Sequence, residues 1–186
     1  MRQFNASAML LMMLLHGCVN DDQITAENPA PPLIAAAGAG DARALDILLD
    51  AGPPIDVRDA CLWTPLMKAA RNGDMDITQR LLQAGASVNL TDKGGYTAIM
   101  LAASNNHREI VELLLKHGAK VNQAELTNGW SALIWAAKRG HLETVDSLLA
   151  HGADSMHRDF QARRAIDWAI EGVHKTVVAR LKESTQ

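Results

Sequence analysis

The sequence is poor in cysteine and in aromatic residues, and it has no excess of positive charge. Only two cysteines occur, Cys18 and Cys61, so a Cys-x-x-Cys pair is absent, and the aromatic residues are four Trp, two Phe and one Tyr. The sequence contains 18 Lys and Arg residues and 21 Asp and Glu residues, which gives a net charge of −3. Because proteins that bind nucleic acid carry basic patches, this balance argues against nucleic acid as the partner.

The motifs of common enzyme classes are also missing. The sequence contains no Gly-x-Ser-x-Gly nucleophile turn, no His-Glu-x-x-His zinc helix and no P-loop. Gly38-Ala39-Gly40 superficially resembles a nucleotide-binding turn. However, Gly40 lies in register with Gly73 and Gly140, so it is a glycine of the repeat. We expect no catalytic activity, no cofactor, no bound metal and no small-molecule substrate.

The N-terminal apolar run is too short to cross a bilayer. It extends from Ala8 to Leu15, whereas a membrane-spanning helix needs about 20 apolar residues. Arg2 precedes the run and Leu15-His16-Gly17-Cys18 follows it, so the segment resembles a bacterial lipoprotein signal peptide. An ordinary secretory signal and an N-terminus without structure are the alternatives.

The lipoprotein resemblance has several implications for the mature protein. It implies cleavage of residues 1–17 as the signal peptide and lipid attachment at Cys18, with the protein anchored in the cell envelope and facing the periplasm, on the outer membrane if the host is Gram-negative. The stretch from Val19 to Pro32 holds Asp21, Asp22, Glu27 and three prolines and shows no periodicity, so residues 18–30 read as a flexible tether. Cys61 would then be the only free thiol, and no intramolecular disulfide could form.

What the sequence does contain is a block of about 33 residues that recurs along the chain. Gly52, Gly85 and Gly118 lie 33 residues apart, and Gly152 follows after 34. The same register holds for a row of leucines: Leu48, Leu81, Leu114, Leu148 and Leu181. A fixed period of this length predicts stacked supersecondary units that share one continuous core.

The blocks resemble the ankyrin repeat, over residues 31–186. The first half of the family pattern is seen in Thr64-Pro65-Leu66-Met67-Lys68-Ala69-Ala70 and the second half in Ile110 to Ala119. The resemblance implies an all-α solenoid of helix-turn-helix units joined by β-turn or hairpin fingers. We expect about three full repeats and two atypical capping repeats, which begin at Pro32 and Arg164.

The residues themselves support these elements. Thr64, Thr97 and Ser131 stand where a helix N-cap is expected, because a hydroxyl can accept a hydrogen bond from the first turn. The glycine after each Leu-Leu pair suits a left-handed helix end. The family's histidine is replaced by apolar residues such as Met67 and Met100, so apolar packing has to substitute for its hydrogen bond.

In the ankyrin family, the finger tips and first helices line a concave face that contacts the partner. The column before each first helix is here Trp63, Tyr96, Trp130 and Arg163, residue types enriched at interface hot spots. Packing against adjacent fingers is the alternative for the aromatic members, and it is the expectation for Trp135 and Trp168. The other predicted contact residues are Arg71, Asn72, Lys93, Ser104, Asn105, Asn128, Lys138, Arg139 and Phe160.

The sequence thus predicts a non-catalytic module that binds another protein in the cell envelope. By resemblance to bacterial ankyrin proteins, two roles are open: an immunity protein that neutralises a secreted toxin such as a lipase, and an accessory to a periplasmic enzyme such as a catalase. A host-directed bacterial effector is the alternative from another class. An enzyme would need a site assembled from dispersed residues, of which Asp167 and His157 are the weak example.

Overall fold

The computed structural model describes residues 30–184, and these form ten helices. The predicted signal peptide, the predicted lipidation site Cys18 and nearly all of the predicted tether lie outside the described residues. The helices follow one another in pairs, as the repeat predicts. They are α1 (Pro32–Ala39), α2 (Ala42–Asp50), α3 (Pro65–Asn72), α4 (Met75–Gln83), α5 (Ala98–Ser104), α6 (Arg108–Lys116), α7 (Ala132–Arg139), α8 (Leu142–Ala150), α9 (Ala165–Glu171) and α10 (Lys175–Glu183).

The N-terminal caps of the first helices differ from one repeat to the next. Thr64 accepts a hydrogen bond from the Met67 N–H at 3.2 Å, and Ser131 caps α7 in the same way. Thr97 does not, because its buried hydroxyl has no hydrogen-bond partner. In α9 the Asp167 carboxylate instead accepts a bond from the Arg164 N–H at 2.8 Å. The predicted hydroxyl caps are therefore confirmed in α3 and α7 and wrong in α5.

The second helices end as predicted. Gly52, Gly85, Gly118 and Gly152 have φ angles between 77° and 89°, the left-handed region that glycine enters without steric cost. After each of these glycines the chain leaves the helix pair and enters a finger. The regular spacing of these glycines in the sequence thus reflects a repeated backbone conformation.

The first helices, α1, α3, α5, α7 and α9, pack directly on one another and form the inner row. The second helices form the outer row, in which neighbouring helices contact each other less extensively. Fully buried alanines such as Ala69, Ala102 and Ala136 allow the close approach in the inner row. Because one row is packed more tightly than the other, the array curves with the inner row on its concave side.

A single hydrophobic core runs the length of the array between the rows and the fingers. Leu81, Leu114, Leu148 and Leu181 are all at most 1% exposed. Met67 and Met100, at the place of the family's histidine, are 1% exposed, so apolar packing replaces that hydrogen bond as expected. Burial of one such side chain contributes about 1.5–3 kcal/mol relative to leaving it exposed.

Fingers connect the helix pairs and are built from turns. Within residues 30–184 no strand forms, and the one isolated bridge pairs Ala124 with Ser131. Each finger is joined to the one before it by a single main-chain bond: Lys93 N–H to the Cys61 carbonyl, Leu126 N–H to Gly94 and Phe160 N–H to Asn128. Asparagine side chains add further links between successive repeats near the finger bases, as Asn89 does with Gly118 and Lys120.

Candidate functional site: the concave surface

The finger tips are shaped by one carboxylate in each repeat. The Asp59 Oδ1 atom accepts hydrogen bonds from the N–H groups of Cys61 and Trp63 at 2.8 and 2.9 Å. Asp92 holds Gly94 and Tyr96 in the same manner. These bonds close a tight turn around the acceptor and fix the direction in which the following aromatic side chain leaves the backbone.

The third finger is longer by one residue and uses Glu125 instead of aspartate. The Glu125 side chain is 1% exposed and accepts hydrogen bonds from the N–H groups of Thr127, Asn128 and Trp130 and from the Thr127 hydroxyl. The longer side chain spans the larger loop. The extra residue explains why Gly152 follows Gly118 by 34 residues.

The predicted contact column lies against the inner row, and two of its members are buried. Trp63 is 5% exposed and Trp130 is 8% exposed, while Tyr96 and Arg163 are half-buried. Tyr96 and Trp130 lie on either side of the half-buried Trp135, with ring centroids 5.9 and 4.7 Å from that ring. Packing between the fingers and the inner row therefore holds these rings, and their contact with a partner stays a prediction.

Asp159 ties the two last tryptophans of this cluster together. Its Oδ2 atom accepts hydrogen bonds from the indole N–H groups of Trp130 and Trp168, at 2.9 and 2.8 Å. The two rings meet edge to face with centroids 4.8 Å apart. One buried carboxylate thus joins two repeats through side chains 29 and 9 residues away from it.

Asp92 and Asp159 occupy equivalent places, but folding moves their pKa values in opposite directions. Burial raises the pKa of Asp92, and its backbone hydrogen bonds do not offset this effect. Burial also acts to raise the pKa of Asp159, but hydrogen bonds from Arg163, Gln161 and the two indoles together lower it. The Trp63 indole, which corresponds to Trp130, has no acceptor within hydrogen-bonding distance, although its proximity also acts to lower the Asp92 pKa.

Cations of the inner helices and of the last finger lie over the tryptophan rings. The Lys68 ammonium is 4.7 Å from the Trp63 ring centroid. The Lys138 ammonium is 4.5 Å from the centroid of Trp130 and 3.8 Å from that of Trp168. Arg71 and Arg163 make equivalent contacts with Trp63 and Trp168, at 5.4 and 3.6 Å. These cation–π contacts hold positive charge at the concave surface.

The charges of the helices are distributed unequally between the two rows. The inner helices α1, α3, α5 and α7 contain no Asp or Glu and four cations. The outer helices α2, α4, α6 and α8 contain seven acidic and four basic residues, and α10 adds one acidic and three basic residues. Acidic residues enter the inner row only in α9, where Glu171 pairs with Arg163 at 2.5 Å and Asp167 with Arg164 at 3.4 Å.

The remaining predicted contact residues lie along the same surface. Asn72, Asn105 and Arg139 are exposed at the ends of inner helices, and Ser104 is half-buried. Lys93 and Phe160 are exposed on the fingers, whereas Asn128 is half-buried. All of these positions are on the inner row or the fingers, where the sequence placed them. Their contact with a partner stays a prediction.

Two features of this surface were missed by sequence reasoning. The first is Leu126, which is 71% exposed and projects from the finger before that of the predicted contact residue Phe160, itself 71% exposed. The sequence signal that could have identified Leu126 is its common register with Lys93 and Phe160. Asp159 was also missed, although its register with Asp59 and Asp92 marked it as a finger carboxylate.

Cys61 is not the free thiol that the sequence predicts, because it takes part in a disulfide. The residue is half-buried in the first finger, two positions before Trp63. Its N–H donates to Asp59 and its carbonyl accepts from Lys93, so its backbone is fixed on both sides. The expectation of a reactive, singly occurring thiol on this finger is therefore wrong.

The histidines have structural partners in the backbone. His107, His141 and His174 follow the inter-helix turns, and their Nε2 atoms lie 3.0–3.2 Å from carbonyl oxygens at the ends of inner helices in the preceding repeats. His117 and His151 contact carbonyls in the last turns of their own outer helices. Between residues 30 and 184, no three His, Cys, Asp or Glu side chains come together as a metal site would require.

A shallow depression of about 710 Å³ lies near the finger bases and is lined by Asn89, Thr91, Lys120, Val121, Asn122 and Gln123. Each helix within residues 30–184 falls short of the length and apolar character that crossing a bilayer requires.

Comparison with known proteins agrees with the geometry. The family model for ankyrin repeats (3 copies) matches the chain three times, over residues 5–92, 33–125 and 122–186. No curated protein matches the chain. Ankyrin repeats are generally protein–protein interaction modules and are typically non-catalytic. With helix pairs, fingers and family matches that cover most of its length, the chain belongs to the ankyrin repeat family.

Proposed function

We propose that this protein binds another protein through its concave surface, defined as the solvent-facing side of the inner row together with the finger tips. The observation that carries the proposal is the row of tryptophan rings covered by cations. Such a surface offers rigid aromatic area together with charge that is held in place, and both reduce the entropy lost on binding. Lys138 is the clearest case, because one ammonium group contacts two rings.

The burial of the tryptophans changes which residues contact the partner. Trp63 and Trp130 support the surface from below, so their removal would disturb the fold as well as binding. The groups that a partner would reach first are the cations, the polar residues at the inner-helix ends and the exposed finger residues Leu126 and Phe160. Tests of binding are therefore sharper at Asn105, Arg139 and Phe160 than at the tryptophans.

Photo-crosslinking in the native cells tests the proposal directly. A photoreactive residue is placed at Asn105, Arg139 or Phe160, which line the concave surface, and at Lys116, which is exposed on the outer row. We expect the same protein to be crosslinked from the three concave positions and not from Lys116. Crosslinking from Lys116 alone, or different proteins from each concave position, would contradict the proposal.

We extend the proposal to location: the chain acts in the cell envelope, facing the periplasm. This extension is supported by Arg2, the apolar run from Ala8 to Leu15 and the Leu15-His16-Gly17-Cys18 sequence. Metabolic labelling with a palmitate analogue, in wild type and in Cys18→Ser, tests the lipid anchor. Label in wild type that is lost in the variant supports it, and absence of label from wild type counts against it.

Within this class the protein neutralises a secreted toxin, such as a lipase, or supports a periplasmic enzyme, such as a catalase. The identity of the crosslinked partner separates the two roles: a secreted effector indicates immunity, and a peroxide-detoxifying enzyme indicates support. A host-directed effector is the competing proposal. Detection of the protein in the host cell during infection would favour it over an envelope role.

A further inference from the structure

The C-terminal half of the concave surface combines positive charge with an exposed aromatic ring, and this combination narrows the chemistry of the partner. We infer that the surface around Lys138 and Arg139 on α7 and Phe160 on the last finger binds an acidic segment of the partner protein that also carries an apolar side chain. The inference rests on the proposed function and deepens it, because it specifies which kind of protein segment this surface selects.

The two cations of α7 are placed to meet a carboxylate. The Lys138 ammonium lies 4.5 Å from the ring centroid of Trp130 and 3.8 Å from that of Trp168, so two rings fix its position. Arg139, the last residue of α7, is exposed. Among residues 30–184, no carboxylate forms an ion pair with either side chain. An acidic partner therefore does not have to break an ion pair of the array in order to bind them.

The finger carboxylates of this region are buried and belong to the fold. Glu125 is 1% exposed and Asp159 is 5% exposed, and both accept hydrogen bonds from the N–H groups of their own turns. Asp159 also accepts the indole N–H groups of Trp130 and Trp168. An indole that donates to a carboxylate becomes richer in electrons, which strengthens its attraction for the ammonium group above it. The buried negative charge thus helps to hold Lys138 in place.

The acidic residues of the neighbouring helix α9 are balanced by arginines. Glu171 pairs with Arg163 at 2.5 Å, and Asp167 pairs with Arg164 at 3.4 Å. The Arg163 guanidinium also lies 3.6 Å from the ring centroid of Trp168, the ring that Lys138 contacts. The surface formed by α7, α9 and the two arginines before α9 therefore keeps an excess of positive charge.

The exposed ring of Phe160 lies beside these cations. Phe160 is 71% exposed, yet its ring covers the backbone of Gly129, because a Cβ atom added to Gly129 would lie 2.8 Å from Phe160 Cδ1. Gly129 directly precedes Trp130, whose ring carries the Lys138 ammonium. The aromatic ring and the ammonium group thus contact consecutive residues of one finger, and a single short segment of a partner can reach both.

A peptide segment with both kinds of side chain makes use of this whole surface. Lys138 and Phe160 already rest on other groups of the array, so they lose little freedom on binding. A carboxylate of the partner would set register and speed association, and an apolar side chain would bury area against Phe160. The phosphate backbone of a nucleic acid would supply the charge without the apolar side chain.

Charge reversal at Arg139 tests the charged part of the inference. The photoreactive residue is placed at Asn105 of the full chain in its native cells, and the yield of crosslinked partner is compared between variants. Arg139→Glu should lower this yield at least about fivefold, because an attraction becomes a repulsion. Lys116→Glu is the matched control, since it makes the same change at the exposed last residue of the outer helix α6, and it should lower the yield less than about twofold.

Truncation of Phe160 tests the apolar part in the same assay. Phe160→Ala should lower the crosslinking yield from Asn105 about three- to tenfold, because the partner's apolar side chain loses the ring it packs against. Ile47→Ala serves as the control, since Ile47 is 61% exposed on the outer helix α2. It should lower the yield less than about twofold.

Mass spectrometry of the crosslinked peptide then identifies the partner segment. We expect an Asp or Glu and an apolar residue within about five residues of the crosslink, because neighbouring inner helices lie only about 8–10 Å apart. Replacement of that acidic residue by Lys in the partner should restore crosslinking to the Arg139→Glu chain. Such a rescue requires a charge contact, because a chain that fails to fold would not regain binding.

The outcomes separate this inference from the proposed function. A wild-type yield in Arg139→Glu, or a crosslinked segment without acidic residues, would overturn the acidic specificity and leave partner binding intact. Crosslinks only to a second copy of this chain, or only to nucleic acid, would also overturn the inference. Absence of any crosslinked protein from all concave positions of the wild type would overturn the proposed function as well.

Discussion

At the scale of single residues, the finger carboxylates provide a matched pair of sites. The Asp159 Oδ2 atom accepts two indole N–H groups, whereas Asp92 holds its own turn with Oδ1 and has no indole bond of this kind. An amide at position 159 would direct an N–H donor at two other donors, or leave them unpaired. Removal of such buried acceptors is costly because the donors lose both protein and water partners.

We therefore expect Asp159→Asn to lower the free energy of unfolding by about 2–3 kcal/mol at pH 7 and Asp92→Asn by less than about 1 kcal/mol. Since folding lowers the pKa of Asp159, its carboxylate stabilises the fold above its unfolded pKa near 4, and this contribution is lost as the pH falls through the lower folded value. Urea denaturation at pH 7 and pH 3 measures both effects. Equal losses in the two variants would contradict this account of the indole bonds.

Val173, in the turn between α9 and α10, has a strained backbone conformation. Its φ angle is 59° and its side chain is 72% exposed, whereas the equivalent turns carry Gly40, Gly73, Gly140 or Asn106. A β-branched residue in the left-handed region costs roughly 1–2 kcal/mol, and Asn tolerates that region better. The strain is local, since the side chain has little packing to lose.

Val173→Asn should accordingly raise the free energy of unfolding by about 1 kcal/mol. The reverse exchange, Asn106→Val, should lower it by more than that amount, because it also removes the acceptor of the Thr144 hydroxyl at 3.0 Å. Thermal unfolding followed by circular dichroism gives both values. A destabilised Val173→Asn variant would show that the backbone at this turn is not strained.

At the scale of the element, the helices follow from local rules and the finger contacts do not. Thr64 and Ser131 cap their helices as a short-range pattern predicts, because donor and acceptor lie three residues apart. The indole bonds to Asp159 join residues up to 29 positions apart, and only the packed array brings them together. The common register of Trp63, Tyr96, Trp130 and Arg163 was thus visible in the sequence, but the burial of Trp63 and Trp130 required knowledge of the neighbouring repeat.

Thr97 and Cys61 illustrate two further limits of sequence reasoning. Thr97 stands in the same register as Thr64, but its hydroxyl does not cap the first turn of α5. The periodicity of the sequence does not predict this difference between the two side chains. The participation of Cys61 in a disulfide is likewise not contained in the local pattern of the first finger. Helix positions, glycine turns and the alanine stripe were predictable because each follows from local pattern alone.

The links between repeats can be tested at Asn89. Its amide donates to the Gly118 carbonyl at 2.9 Å and accepts from the Lys120 N–H at 2.8 Å, so it joins two finger bases. Asn89→Ala should lower the free energy of unfolding by about 1 kcal/mol, a modest value because the bonds are exposed. Gln79→Ala, on the exposed side of α4, serves as the control and should change it by less than about 0.5 kcal/mol.

At the scale of the whole molecule, each repeat contacts only its neighbours, so stability is distributed along one dimension. Leu114 lies in the middle of the array and Leu181 in α10 at its end, and both are at most 1% exposed. Loss of either side chain costs about 2–5 kcal/mol locally. The effect on the remaining repeats should nevertheless differ, because a terminal repeat can unfold without its neighbours.

Hydrogen exchange measured by mass spectrometry should reveal this difference. Leu181→Ala should increase exchange in α9 and α10 while α3 to α6 stay protected, whereas Leu114→Ala should increase exchange throughout the array. Uniform loss of protection in both variants would mean that the array unfolds as one cooperative unit and that the nearest-neighbour description is wrong for it.

The unequal distribution of charge between the rows has a consequence for long-range encounters. Without Arg2, Asp21, Asp22 and Glu27, the array holds 17 basic and 18 acidic residues and is nearly neutral. In the first four helix pairs, the cations of α3 and α7 and the acidic excess of the outer row nevertheless give an electric dipole across the width of the array, which the opposite charges of α9 and α10 reduce. Beyond about 8 Å in physiological salt this dipole is screened, but within that distance an approaching negative body exerts a torque on it. The array would then turn before contact, with the side of α3 and α7 leading.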